Sequence, residues 1–242
     1  MALHFLSADA TDAAPGDEIV LTGAEAHHAA QVRRLRSGEA VTVGDGSGVW
    51  LDGEVADVDA KRVGVRITAR RDVPAPSPRL VLVQALAKGD RDELAIQAAT
   101  ELGVDAVVPW QAERSVSRWD HKVDKGLARW RTIVREAAKQ AHRAWVPEVA
   151  APASTDDLAG LAEGGRMLLL DPRAEQRLSR ISLDDGRDVH LVVGPEGGIS
   201  DAEIQRLARA GAEPVRLGET VLRTSTAGAA ALSVASTLLH RW

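Results

Sequence analysis

The sequence predicts a two-domain α/β protein, a small N-terminal β-barrel followed by a mostly parallel sheet flanked by helices. Three observations carry this. Asp72-Val73-Pro74-Ala75-Pro76-Ser77-Pro78 places three prolines in five residues, which favours extended backbone over helix and reads as a linker. Before it stand short strands with glycine turns and one helix; after it, strands and helices alternate. Near the C-terminus, two glycine-bearing segments about twenty residues apart each read as a strand end, a turn and a helix start. Two such turns can line one crevice at the carboxyl edge of a parallel sheet, where α/β folds bind ligands.

Taken in order, residues 24–35 form the one good helix of the first domain. Strands follow at 39–43 and 49–55, separated by the turn Gly44-Asp45-Gly46-Ser47-Gly48, and at 62–68 with period-two alternation. The boundaries are then 1–72 for the barrel, 73–78 for the linker and 79–242 for the α/β domain. In that domain residues 80–86 are a continuous apolar run, as expected of a strand covered on both faces. A helix over 90–102 stops at Gly103, a strand over 104–108 stops at Pro109, and a long helix spans 122–144. Buried strands follow at 167–170 and 189–193. Ser200-Asp201-Ala202-Glu203 is a capping box opening a helix to residue 210, and 213–217 is a last short strand. The final helix, over 226–240, is rich in alanine and leucine.

Composition narrows the function. The 242 residues carry a formal charge of −5, so the molecule as a whole is not a polycation. No run of 18 apolar residues exists, and the N-terminus lacks a basic stretch followed by a long apolar one. A cytoplasmic protein is the expectation. The absence of cysteine removes disulfides, thiolate metal sites and cysteine nucleophiles, and the seven histidines form no ligand constellation, so no metal is expected.

Gly194-Pro195-Glu196-Gly197-Gly198 matches neither a dinucleotide fingerprint nor a P-loop, and it lacks the phosphate-binding lysine. Glycines let backbone approach a ligand closely, and such a turn offers N–H and C=O groups to a flat heterocycle and a ribose. Leu222-Arg223-Thr224-Ser225-Thr226-Ala227-Gly228 sets a buried leucine, an arginine and two threonine hydroxyls at a helix start. Ala227 through Ala231 then give that helix a small-residue face, suited to meeting another chain or a threaded segment.

The pair of motifs, GPEGGIS followed by LGETVLRTSTA, resembles the SPOUT methyltransferases, and within them the family that methylates uridine N3 in 16S ribosomal RNA. Gln84 to Arg91, Ile96 to Val104, Glu113-Arg114-Ser115 and Arg143-Ala144-Trp145-Val146-Pro147 fit the same family. His27-His28 and Val32-Arg33-Arg34-Leu35-Arg36 resemble its PUA-like RNA-binding barrel. The resemblance covers nearly the whole chain. It departs at Ser225, where many members have glutamate, and at His4, where they have arginine.

The resemblance implies a trefoil-knotted C-terminal domain, a homodimer, and S-adenosylmethionine bound in the knot. It further implies that the substrate is one uridine of 16S ribosomal RNA in the small subunit, in the decoding region near the 3′ end. Cofactor contacts carried over are Leu170, Gly194, Glu196, Gly197, Gly198, Leu217, Gly218, Leu222, Arg223, Thr226 and Ala227. RNA contacts fall to Arg33, Arg34, Arg36, Lys88, Arg91, Arg114, Lys139 and Arg143. Residues 118–145 hold eight Lys/Arg against three Asp/Glu, with Trp119, Trp130 and Trp145 among them, a composition suited to phosphate contact and base stacking. Trp130, flanked by arginines, is read as core.

Methylating uridine N3 requires loss of its proton and in-line approach of the methyl group. Arg223, Arg143 and Arg114 are candidates for stabilising charge on the uracil oxygens, and Glu196 or Glu101 for accepting the proton. His27, His28 and His142 are further candidates. A ribose 2′-O methyltransferase of the same superfamily and a non-catalytic RNA-binding or assembly protein stand as alternatives.

Overall fold

A pair of eleven-residue antiparallel strands organises the first unit. The computed structural model describes residues 2–242, and these divide into two compact units: residues 2–75 with Ala138–Val146, and Pro76–Ala137 with Pro147–Trp242. In the first, β4 (Val49–Asp59) and β5 (Arg62–Asp72) are the long strands. β1 (Leu3–Leu6), β2 (Glu18–Thr22) and β3 (Ala40–Gly44) complete a five-stranded sheet in the order β1-β3-β4-β5-β2. Register shifts at Asp52/Gly53 and Val55/Asp57 bend the long strands, as bulges do. The sheet therefore curls into a half-barrel around Phe5, Ile19, Leu21, Val43, Leu51, Val63, Val65 and Ile67.

Three expectations change: the strand expected over 104–108 and stopped at Pro109 runs instead over Ala106–Trp110, through Pro109, and two helices differ. The helix expected over 24–35 is α1 (Gly23–His27) followed directly by a wide π turn, His28–Val32. Ala26 and Ala29 are buried there, and Val32, at the end of the turn, is exposed. The helix expected over 122–144 ends at Gln140, because His142 adopts φ +54°, and the turn that follows packs in the first unit. There Trp145 donates from Nε1 to the Val73 carbonyl at 2.9 Å, and Val146 N–H donates to Gly46 O. Gly48 is required at this contact, since a Cβ would sit 2.8 Å from the Trp145 ring.

In the second unit the strands β6 (Leu80–Ala85), β7 (Ala106–Trp110), β8 (Glu148–Val149), β9 (Arg166–Leu170), β10 (Val189–Val193) and β11 (Glu213–Val215) form a wholly parallel sheet. Their order is β11-β9-β10-β6-β7-β8. Both faces are covered, which is why the central strands are apolar at consecutive positions. α4 (Thr155–Gly164) and α5 (Asp201–Arg209) cover one face over Val81, Val83, Met167, Leu169 and Val192. α2 (Arg91–Glu101) and α6 (Thr224–Leu238) pack together over the other. Gly228 allows α6 to lie against that face: a Cβ there would meet Leu82 at 3.0 Å. α3 (Val123–Gln140) carries Trp130, 2% exposed and edge-on to Trp119 at 5.3 Å, the core role expected of it.

After β11 the chain turns back across the β9–β10 connection. Leu178 N–H donates to Arg216 O and Arg216 N–H to Gln176 O, and α6 then packs beside the short turn at Leu178–Arg180.

Candidate active site

Three connections leave the carboxyl ends of adjacent strands β9, β10 and β11, and their first residues meet. Leu170 ends β9, Gly194 follows β10, and Leu217 lies just past β11. Together with the start of α6 they enclose a cavity of about 610 Å³. Of the residues expected to hold a cofactor, Leu170, Gly194, Glu196, Gly197, Gly198, Leu222, Arg223 and Ala227 line it. Leu217 and Gly218 line an adjoining recess of about 70 Å³, which shares Leu170, Leu222 and Ala227 with the larger cavity. Thr226 lines neither; its hydroxyl donates to the Arg223 carbonyl at 3.1 Å inside the first turn of α6. Leu222, expected to be buried, is 38% exposed and Val221 beside it 78%, because both precede α6 on a stretch that leaves the sheet.

Asp171, Pro172 and Arg173 also line the cavity and were missed. The signal was present: they directly follow a buried strand, at the edge where parallel sheets bind ligands.

The glycine turn is held by short polar contacts. Thr224 donates from Oγ1 to the Gly194 carbonyl at 2.8 Å and accepts from Gln84 Nε2 at 3.0 Å, fixing the start of α6 to the ends of β6 and β10. Glu196 ties the same turn to the β6–α2 connection, accepting from Lys88 N–H at 3.0 Å and from Arg91 at 2.8 Å. Burial alone would raise its carboxyl, but these bonds and its own backbone N–H hold it below the usual carboxylate range. Glu196 is therefore an ionised tether and a weak proton acceptor. The other wall carboxylate, Asp171, is gripped by Arg173 at 3.0 Å, and Arg173 also reaches Asp201 at 2.7 Å.

Four guanidinium groups thus stand around the cavity. Arg91 and Arg173 are committed to carboxylates. Arg114 donates to the Gly197 carbonyl at 3.0 Å and lies along that glycine. The Arg223 guanidinium has no hydrogen bond or ion pair among the described residues; the residue sits at the N-terminus of α6, where exposed amides add positive potential.

The walls suit a nucleoside-bearing cofactor. Gly198, at φ +71°, and Gly218 have nothing within 4 Å of where a Cβ would stand, so bare backbone faces open space. Among the described residues, no backbone hydrogen bond involves residues 217–222, so their N–H and C=O groups are available to the edge of a heterocycle. Leu170, Val193, Ile199 and Leu222 supply apolar walls.

The remaining predicted residues lie elsewhere. Arg33, Arg34 and Arg36 are exposed on the first unit, just after its π turn. Lys139 and Arg143 belong to the segment packed in that unit, and Lys139 is ion-paired with Glu25 at 3.0 Å. Glu101 ends α2 and is not among the cavity residues. His27 lies in α1 and His28 opens the turn after it, while His142 lies tilted against His4 at 6.0 Å and Trp50 at 6.3 Å. Among the described residues, no group of three or more His, Asp or Glu side chains is placed to hold a metal ion.

The RNA methyltransferase domain family matches residues 74–236, and the RNA methyltransferase PUA domain matches 21–68. The chain is 45% identical over 233 residues to the ribosomal RNA small subunit methyltransferase E of Mycobacterium bovis, covering 94% of this chain and 89% of that protein. It is 32% identical to the protein of the same name in Bacillus subtilis, covering 89% and 88%. A structure of a putative methyltransferase from Legionella pneumophila with bound cofactor SAM superposes with a TM-score of 0.88 at 31% identity, over 98% of both chains. The ribosomal RNA small subunit methyltransferase E of Neisseria gonorrhoeae, bound to S-adenosyl methionine, gives 0.86 at 28% identity, again over 98% of both.

Proposed function

This chain belongs to the RNA methyltransferase domain family, and from that premise we propose that it methylates N3 of one uridine in 16S ribosomal RNA, using S-adenosylmethionine. The observation that carries the reading is the cavity at the β9–β10–β11 edge. Among the described residues, it has bare glycine backbone, a 217–222 stretch without backbone hydrogen bonds and one guanidinium with no protein partner. The cofactor contacts are Leu170, Gly194, Glu196, Gly197, Gly198, Leu217, Gly218, Leu222, Arg223 and Ala227, several of them through backbone, with Thr226 stabilising the turn that presents Arg223.

When bound, S-adenosylmethionine supplies an electrophilic methyl group on a sulfonium. The chain's own residues do the rest. The glycine turn and the 217–222 backbone orient the nucleoside end. Leu222 and Val221, exposed beside Arg223, offer an apolar surface to the uracil ring. Arg223, with Arg114 opposite on the Gly197 side, stabilises the negative charge that spreads onto the uracil oxygens as N3 loses its proton. Both wall carboxylates are already held by guanidinium groups, so this stabilisation replaces a carboxylate base and the proton passes to solvent.

RNA is engaged through the exposed Arg33, Arg34 and Arg36 of the first unit and through Lys88, Arg91 and Arg114 around the cavity. Arg143 is a candidate contact in the same role. A homodimer built through α6 completes the reading. The substrate is the small ribosomal subunit.

The test is transfer from labelled S-adenosylmethionine to small subunits lacking the modification, with the product nucleoside identified by mass spectrometry. The expected product is N3-methyluridine at one site. A ribose-methylated nucleoside, or cofactor binding without transfer, overturns the reading.

A further inference from the structure

Glu203 is a buried carboxylate, 6% exposed, with no cation against it among the described residues. Its two oxygens instead accept from three donors. Oε1 accepts from the backbone N–H of Glu113 at 2.8 Å and from the Thr155 hydroxyl at 3.0 Å, and Oε2 accepts from Ser200 N–H at 3.1 Å. Two helix N-termini converge on it, because Glu203 lies in the first turn of α5 and Thr155 opens α4.

Only the Ser200 bond belongs to the capping box. The bond to Glu113 reaches out of the helix to the loop after β7, and it has a companion: Ser200 Oγ donates to Glu113 Oε2 at 2.6 Å. Thr155 is itself held by Trp110 Nε1, at the end of β7, at 3.3 Å. Glu113 is thus fixed through both its backbone and its side chain. The next residue is Arg114, which lies on Gly197 at the cavity wall.

We propose that Glu203 is a positioning residue that sets the Arg114 guanidinium over the glycine turn, acting through Glu113. This rests on the proposed role of Arg114 toward the uracil. Burying a carboxylate without a cation is costly, and a helix cap alone is satisfied by an exposed residue. What burial adds here is a fixed distance between α5 and the Arg114 loop, and the position of a cation beside a reacting base is the kind of geometry to which rate is sensitive.

The test is a double-mutant cycle with Glu203→Gln and Arg114→Ala. Glutamine can accept at only one of the two oxygen positions. It therefore releases either Glu113 N–H or Ser200 N–H, and Ser200 is the second tether on Glu113. The expected result is a fall of about tenfold in kcat/KM for E203Q, with cofactor affinity retained, and no further fall when E203Q is added to R114A. Additive losses, or an E203Q enzyme equal to wild type, overturn the proposal. Thr155→Val, which removes one donor and leaves the cap intact, is the milder companion and is expected to act in the same direction.

Amide exchange of the 111–117 segment judges the tether independently of methyl transfer. Faster exchange there in E203Q, with α5 still protected, supports the proposal; unchanged exchange sinks it. If the wild-type protein transfers no methyl group, the functional reading fails while the exchange arm still decides whether Glu203 holds the loop.

Discussion

The guanidinium of Arg223 differs from those of Arg91, Arg114 and Arg173 in having no protein partner among the described residues, although all four stand at one cavity. A cation left unpaired beside a glycine-lined cavity is free to meet charge that appears only during reaction. Arg223→Ala is accordingly expected to lower kcat by about 100-fold with unchanged thermal stability, read by single-turnover methylation and a melting curve. Arg223→Lys should restore part of the loss, since charge returns without the planar fork. A different residue-scale consequence sits in the first unit. His4 stacks on Trp50 at 4.4 Å, bonds Thr42 at 2.9 Å, and has its pKa lowered to about 4 by burial, then by His142 and Lys139. Its folded pKa lies below its unfolded value. The stability it supports is therefore full above the unfolded value of about 6.5 and is lost as pH falls toward 4, by roughly 3 kcal/mol in all. Urea midpoints measured across that window should drop for the wild type and flatten for His4→Phe. The sequence marked His4 only as a departure from the family pattern; nothing local to it announces Trp50 or His142, which lie 46 and 138 positions away.

At the scale of elements, legibility followed locality. The capping box Ser200–Glu203 is legible in four residues, because both its bonds close within one turn. Its second duty, holding Glu113, depends on a partner 90 positions away and left no local trace. The same limit explains the helix over 24–35. Its apolar spacing suits a continuous α-helix, and only packing against the curled sheet selects the π turn after His27. It also explains residues 138–146, which continue a helical pattern yet pack in the unit that precedes them in sequence. Glycine turns were legible as turns, and Gly198 shows why one of them must be glycine. Its φ of +71° is strained for any L side chain, while nothing stands within 4 Å of a Cβ. Gly198→Ala is thus expected to cost about 1 kcal/mol through backbone strain and not through a clash. Calorimetric titration should show a larger loss in S-adenosylmethionine affinity than that stability change accounts for, because the turn that presents bare backbone is displaced.

For the whole molecule, the question is what covers α6. Across Thr224–Leu238 the helix carries no charged residue. Gly228, Ala231, Leu232 and Ala235 are buried, and Leu82 and Val193 of the sheet lie against Gly228. Ala227, Ala229, Ala230, Ser233 and Val234 are only half-buried. A helix lying at the surface of a water-soluble domain normally turns charged side chains to solvent, and one that lacks them all round is ordinarily enclosed. Small residues on the half-buried face allow close approach of another backbone, and the exposed Val221 and Leu222 extend the apolar surface toward the cavity. A second copy of this chain, meeting the first along α6, would cover that face and place the two cavities beside one interface. Analytical ultracentrifugation at micromolar concentration is expected to give twice the 25.7 kDa chain mass. Val234→Asp should lower the mass toward that of one chain while circular dichroism stays unchanged. Cofactor affinity should fall with it, because α6 begins at the cavity wall. A wild-type protein that sediments as a single chain, or a Val234→Asp protein that stays paired with full affinity, removes the dimer from this reading.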